Sequence, residues 1–255
     1  MNNMAEVLQK IIATSGLASR RAAQEMIRKG LVKINGEVAQ LGDCADAQHD
    51  QISVNGRPLS KAAGKIYLKL NKPIGYTCTN RRFAKEKNIF DLIDIPEKLF
   101  AVGRLDKDSR GLVLLTNDGD LAQRLTHPRF GHEKVYKVKI KGDIKDGDAL
   151  AQRLTTGVDI KGEDGFVRAK RAEYLQNGIF VITLSEGRKR QIRRMFAALD
   201  LTVNDLIRTA IGPLKLGPMK EGGWERLGEP EIMELKKLEN TKPRPKRNNN
   251  LRLKK

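Results

Sequence analysis

Three short alternating runs, Ile66–Leu70 (I-Y-L-K-L), Val135–Ile140 and Ile179–Leu184, limit the fold more than any other feature of this chain. Apolar residues at every second position read as strands with one face buried. Helical patterns lie among them at Leu121–Leu125 and at Ile192–Leu199, where Ile192, Met195, Phe196 and Leu199 share one face. The order does not follow strict strand–helix–strand units. The class is therefore α+β with a mainly antiparallel mixed sheet, and not a doubly wound parallel fold. Asn71-Lys72-Pro73 reads as a turn that ends the first run.

A different pattern precedes this one. Val7, Leu8, Ile11 and Ile12 have helical spacing that ends near Gly16, and Ser19 stands where it can cap a second helix over Arg20–Lys29. That helix turns Ala23, Met26 and Ile27 inward and stops at Gly30. The runs Leu31–Ile34 and Ile52–Val54 are each followed by Asn-Gly, at 35–36 and 55–56, the dipeptide of tight hairpins. A small unit of two helices and two hairpins over residues 1–64 thus precedes a larger one over 65–237. From Lys236 the apolar content collapses, and Thr241–Lys255 holds seven basic residues and no acid. Residues 238–255 read as a basic disordered tail.

Charge narrows the function. Lys and Arg number 49 against 31 Asp and Glu, a net charge of +18 that points to a polyanionic partner. No apolar run is long enough to span a bilayer and the first residues lack the pattern of a signal peptide, so a soluble, cytoplasmic protein is expected. Cys44 and Cys78 form no CxxC, and three scattered histidines offer no metal-ligand spacing. The cations cluster. Lys10, Arg20, Arg21, Arg28, Lys29 and Lys33 face the single acid Glu25, and five of the eight residues from Gly187 to Arg194 are basic. Either cluster alone reads most simply as a solvated surface.

In Ala101–Leu121 (AVGRLDKDSRGLVLLTNDGDL), Asp106 follows Gly103 and Arg104 on a loop that enters the apolar strand Leu112–Leu115. A rigid strand can hold a carboxylate in place there. Asp108, Asp118 and Asp120 fit the ordinary turn and capping roles, and Asn117 can cap the next helix. Tyr136 opens a later strand, its hydroxyl flanked by cations in His132-Glu-Lys-Val-Tyr136.

The segment LQKIIATSGLASRRAAQEMIRKGLVKING resembles the small RNA-binding module named after ribosomal protein S-four. GRLDKDSRGLVLLTNDG, EKVYKV and LSEGRKRQIRRMF, in that order, resemble the ribosomal RNA pseudouridine synthases that carry such a module. Ser109-Arg110 replaces the commoner Thr-Ser of the first motif. The GRKRQIRR and IRTAIGPLKLGPMKEGGWERL runs look more like members acting on large-subunit (23S) RNA than on small-subunit (16S) RNA.

The resemblance implies isomerisation of a uridine to its C-glycoside with no cofactor, on ribosomal RNA or a pre-ribosomal particle, by a monomer. It implies that Asp106 is the essential carboxylate, attacking or deprotonating the ribose, and that Arg193 keeps it charged in a buried site. Tyr136 would stack on the base and take the proton leaving carbon 5, with Leu184 packed nearby. Arg104 would displace the base or bind its phosphate. Arg188 and Arg190 suit backbone phosphates, and Lys10, Arg20, Arg21, Arg28 and Lys33 would lie along the RNA. A non-catalytic ribosome assembly factor would need no carboxylate among the cationic motifs. An RNA methyltransferase would need a G-x-G-x-G loop, and this chain has none.

Overall fold

In the computed structural model, which describes residues 5–60 and 64–238, the chain forms two units. The basic tail expected over 238–255 lies, apart from Leu238, outside the described residues.

The first unit comprises Met1–Ile66 together with Ile95–Leu99 and Asn117–Gly119, two later segments that no local pattern announces. Its helices span Leu8–Thr14 and Arg20–Arg28, and the Ser19 side chain accepts from the Ala22 N–H as its cap. Strands Val32–Ile34 and Ile52–Val54 pair with each other and with two short outer strands. Both turns use Asn-Gly with positive φ at each residue, Asn35 51° and Gly36 91°, Asn55 52° and Gly56 72°. That is the backbone of tight turns whose twist matches the flanking strands. Leu8, Ile12, Ala23, Ile27 and Val32 meet in one apolar core. Asn117, expected as a helix cap, instead accepts from the Ile66 N–H and donates to the Gly64 carbonyl, both at 2.9 Å.

The second unit is built on a nine-stranded sheet. From one edge the order is Arg171–Gln176, Ile179–Leu184, Lys134–Lys141, Thr202–Ile211, Arg110–Thr116, Tyr67–Lys72 and Trp224–Arg226, with two short strands pairing onto it. The pairings are antiparallel except one. Thr202–Ile211 and Arg110–Thr116 run parallel and are in register at Ile207–Arg110 and Arg208–Gly111. Gly111 has φ +104°, and a Cβ there would lie 2.7 Å from the Arg208 nitrogen, 2.9 Å from the Ile207 side chain and closer still to the Arg208 carbonyl. The two halves of the sheet can meet only over a residue without a side chain.

Two expectations need correction. Asn71 and Lys72 do not turn; they continue Tyr67–Lys72, whose six residues are all buried, and they pair with Leu112 and Gly111. The strand lies inside the sheet and is covered on both faces, so its apolar–polar alternation does not mean one wet face. The longest strand, Thr202–Ile211, has no clean alternation. Register shifts between Val135 and Tyr136 and between Lys139 and Ile140 interrupt its pairing and break the period of two. The helices over Gly119–Thr126 and Gln191–Ala197 bury Leu121 and Leu125, and Ile192, Met195 and Phe196.

Candidate active site

A cavity of about 650 Å³ opens in the second unit beside the loop that leads into Arg110–Thr116. Asp106, Arg104, Tyr136, Leu184, Arg188 and Arg190 all line it. Tyr136 and Leu184 are buried, while Arg104 is exposed. The pleat explains Tyr136. It belongs to Lys134–Lys141, in the middle of one sheet half, and stands opposite Ile182 on one side and Arg208 on the other.

The loop around Asp106 is tied down through its backbone. The Ser109 N–H closes a turn onto the Asp106 carbonyl at 3.1 Å, and the Gly75 N–H donates to the Lys107 carbonyl at 2.7 Å. Lys72, fully buried, donates to the Ser109 carbonyl at 2.6 Å and to Pro73 at 2.9 Å. Burial pushes its ammonium below the ordinary lysine value, opposed by the charges of the Cys78, Asp108 and Asp106 side chains. Arg193 donates to the Asp108 carbonyl at 2.7 Å, to the Ser109 hydroxyl at 3.4 Å and to the Val203 carbonyl at 3.1 Å. Arg208 reaches the Arg104 carbonyl at 3.4 Å. A loop whose carbonyls from 104 to 109 find so many donors can hold one side chain still.

The Asp106 carboxylate itself differs from the expectation. Its side chain is 40 % exposed, and its ion pair is with Arg190 at 3.9 Å. Arg193 does not pair with it and does not line the cavity. The physical reason is the start of the helix: Arg190 takes a left-handed backbone (φ 52°) ahead of Gln191–Ala197, which turns it toward the loop, while Arg193 sits a turn later and faces the loop backbone and Val203.

Asp108, read as an ordinary turn residue, is where the arginines converge. Arg190 binds it with two bonds of 3.0 and 2.8 Å, and Arg193 Nε lies 3.4 Å from it. Burial pushes the Asp108 carboxyl up, but the Arg190 hydrogen bond and the charges of Arg193 and Arg190 outweigh it and leave it below its ordinary value. Arg188 is held by Asp164, at 2.8 Å to the carbonyl and 3.2 Å to the carboxylate.

Sequence reasoning passed over Lys72 and Arg208, both fully buried. Each has a signal: a cation at an inward-facing position of a strand, where an unpaired charge is too costly to keep without a purpose. In the first unit, Arg20, Arg21 and Lys33 are exposed on the helix and strand where they were expected. Lys10 pairs with Glu6 at 2.8 Å and Arg28 with Glu25, so part of that charge is balanced locally.

Residues 66–198 match the family described as RNA pseudouridylate synthase, and residues 8–43 match the S4 domain. An uncharacterized RNA pseudouridine synthase of Aquifex aeolicus is 40 % identical over 247 residues, covering 94 % of this chain and 97 % of that protein. Ribosomal large subunit pseudouridine synthase B of Bacillus subtilis is 37 % identical over 240 residues, covering 91 % and 96 %. A crystal structure of a pseudouridylate synthase superposes with a TM-score of 0.66 at 35 % identity, over 90 % of this chain and 99 % of that one. Among the described residues no helix is long and apolar enough to cross a membrane.

Proposed function

Since the chain belongs to the RNA pseudouridylate synthase family and carries an S4 domain, we propose that it isomerises a uridine of large-subunit ribosomal RNA, with Asp106 as the essential carboxylate. The observation that carries this reading is an accessible carboxylate, Asp106, on a braced loop, in a cavity shared with a buried tyrosine ring and several cations. Nothing is oxidised or reduced in moving the ribose from nitrogen 1 to carbon 5, so side chains suffice. A uridine stacked in RNA cannot present its sugar to Asp106, and it has to be flipped out. Flipping costs a few kcal/mol, which the basic surface offsets.

In the cavity Tyr136 stacks on the base and receives the carbon 5 proton, with Leu184 beside it. Arg104, exposed next to Asp106, holds the displaced nucleotide or its phosphate. Arg190 takes the place expected of Arg193 as counter-ion to Asp106, and Arg193 positions the loop. Residues 1–64 dock RNA and 65–237 perform chemistry, acting as a monomer on ribosomal RNA or a pre-ribosomal particle in the cytoplasm. The similarity to a large-subunit enzyme supports that substrate over 16S RNA.

Carbodiimide-dependent primer-extension stops on ribosomal RNA test the reading. A stop present in cells with the gene and absent without it identifies the uridine; no difference anywhere in either subunit's RNA refutes the assignment.

Arg190 and Arg193 separate chemistry from scaffolding. Arg193→Ala removes three hydrogen bonds to backbone and Ser109, and thermal unfolding should show a loss of about 2 kcal/mol. Arg190→Ala, at a half-exposed site, should unfold near the wild-type temperature yet lose single-turnover rate. The reverse pattern would return the counter-ion role to Arg193.

In the first unit, neutralising Arg20, Arg21 and Arg28 together should weaken binding to ribosomal RNA and flatten its logarithmic salt dependence by up to about one per lost contact. The saturated single-turnover rate should not change. An unaltered salt slope would make these arginines a solvated face.

A further inference from the structure

Two cations of the cavity, Arg208 fully buried and Lys134 half-buried, carry charge that none of the roles above uses. Arg208 is 1 % exposed and lines it. Its Nε donates to the Leu112 carbonyl at 2.8 Å and its Nη1 to Arg104, but Nη2 is buried with no hydrogen-bond partner. Lys134, two residues before Tyr136 on the same strand, lines the cavity as well, and its Nζ reaches only the His132 carbonyl, at 3.5 Å. Among the described residues neither forms an ion pair. The two carboxylates that line the cavity are matched elsewhere: Asp106 faces Arg190, and Glu186 faces Gln191 at 3.0 Å and Arg188 at 3.5 Å. Burial, and then the charge of Arg208, push the Lys134 ammonium down to about 8. The two cations repel each other, and folding has placed them together without an acid. An unspent donor on a buried guanidinium and a neighbouring strained ammonium describe a site that is complete only when negative charge arrives.

We propose that Lys134 and Arg208 form the leaving-group site, which takes up the negative charge that develops on the uracil ring as its bond to the ribose breaks. The proposal rests on the isomerase reading. When the bond between carbon 1′ and nitrogen 1 breaks, its electron pair stays on nitrogen 1 and spreads to O2 and O4 of the ring. That holds whether Asp106 attacks carbon 1′ or a proton is taken from the sugar; neither step neutralises the base. Carbon 5 then bonds carbon 1′ and gives up its proton, nitrogen 1 gains one, and the product is an isomer. Fixed cations in a buried site stabilise such charge without reorganising, and they keep the detached ring from leaving before it has turned. They also set Lys134 apart from a phosphate contact, which would act on binding alone.

The test varies the leaving group. Full-length large-subunit ribosomal RNA is transcribed with either uridine or 5-fluorouridine, whose base is the more acidic and departs as an anion with less help. Rearranged nucleoside is measured after nuclease digestion, in single turnovers at saturating enzyme, neutral pH; from the fluorinated RNA it is the C-glycoside that keeps fluorine on carbon 5 and takes up water at carbon 6, because that carbon 5 has no proton to lose. Lys134→Met should slow the uridine reaction by about 10²-fold and the 5-fluorouridine reaction by less than about 10-fold. Lys134→Arg, which keeps the charge, should recover most of the rate, and Lys134→Gln should repeat the contrast of the methionine variant.

Equal penalties on the two RNAs, or a defect confined to the enzyme concentration needed for half-saturation, would overturn the proposal. So would an unchanged rate, and so would loss of folded protein in both neutral variants, which would make Lys134 structural. Wild type that converts uridine, with Asp106→Asn inert, leaves the isomerase reading standing whichever way Lys134 falls. Wild type inert on this RNA removes that reading, and this proposal with it.

Discussion

Asp106→Asn protein is expected to fold, to bind ribosomal RNA as wild type does, and to form no pseudouridine. The amide has the shape of the carboxylate but can neither attack carbon 1′ nor take a proton from the sugar, so the single-turnover rate should fall by at least about 10³-fold. Stability should barely change, by about 0.5 kcal/mol or less, because the side chain is half-exposed and its pairing with Arg190 is long. Three measurements check it: thermal unfolding, RNA binding, and nucleoside analysis of the product. Residual turnover above about one per cent of wild type would be incompatible with either chemical role for Asp106.

Gly111→Ala should produce the largest loss of stability of any conservative change in the second unit. A methyl group there meets the backbone of Arg208 at 2.7 Å, and backbone cannot move aside as the end of a flexible side chain can. The left-handed φ of +104° adds to the cost. Together these should remove about 4 kcal/mol or leave no folded protein. Gly142→Ala is the control: φ is +98° but nothing lies within 4 Å of the added carbon, so only the backbone term remains, about 1 kcal/mol. Chemical denaturation of the two variants separates them. Equal midpoints would mean that the close approach of the two strands is not what fixes Gly111.

The fold was legible where one face of an element is wet or a turn demands a residue type. The 20–28 helix, its Ser19 cap, the Asn-Gly turns and the 179–184 strand all follow from local chemistry. Legibility failed where burial is two-sided or the period is broken. Lys72 looks like a turn residue because lysine before proline usually is one; its burial depends on loop carbonyls more than thirty residues away. Thr202–Ile211 hides its role behind bulges in its pairing. The site followed the same rule. Motifs located Asp106, Tyr136 and the arginine cluster, but which arginine faces Asp106 depends on the left-handed turn at Arg190, and spacing alone does not report that. Arg208 could not be joined to Tyr136 before the register was known.

The narrow seam between the sheet halves has a mechanical consequence. Tyr136, Lys134 and Leu184 are carried by one half and Asp106 by the loop that feeds the other, and the strands of the two halves are in register at two residue pairs, Ile207–Arg110 and Arg208–Gly111, with the Arg110–Asp205 ion pair and the Arg208 bond to the Leu112 carbonyl beside them. A seam that short makes a fulcrum. A rotation displaces each atom in proportion to its distance from the axis, so twisting one half against the other swings the outer strands through long arcs. Arg208 stands in the seam and Asp106 only four residues before it, where the arcs are shortest. Strain applied at the outer strands is therefore felt least where Arg208 and Asp106 stand.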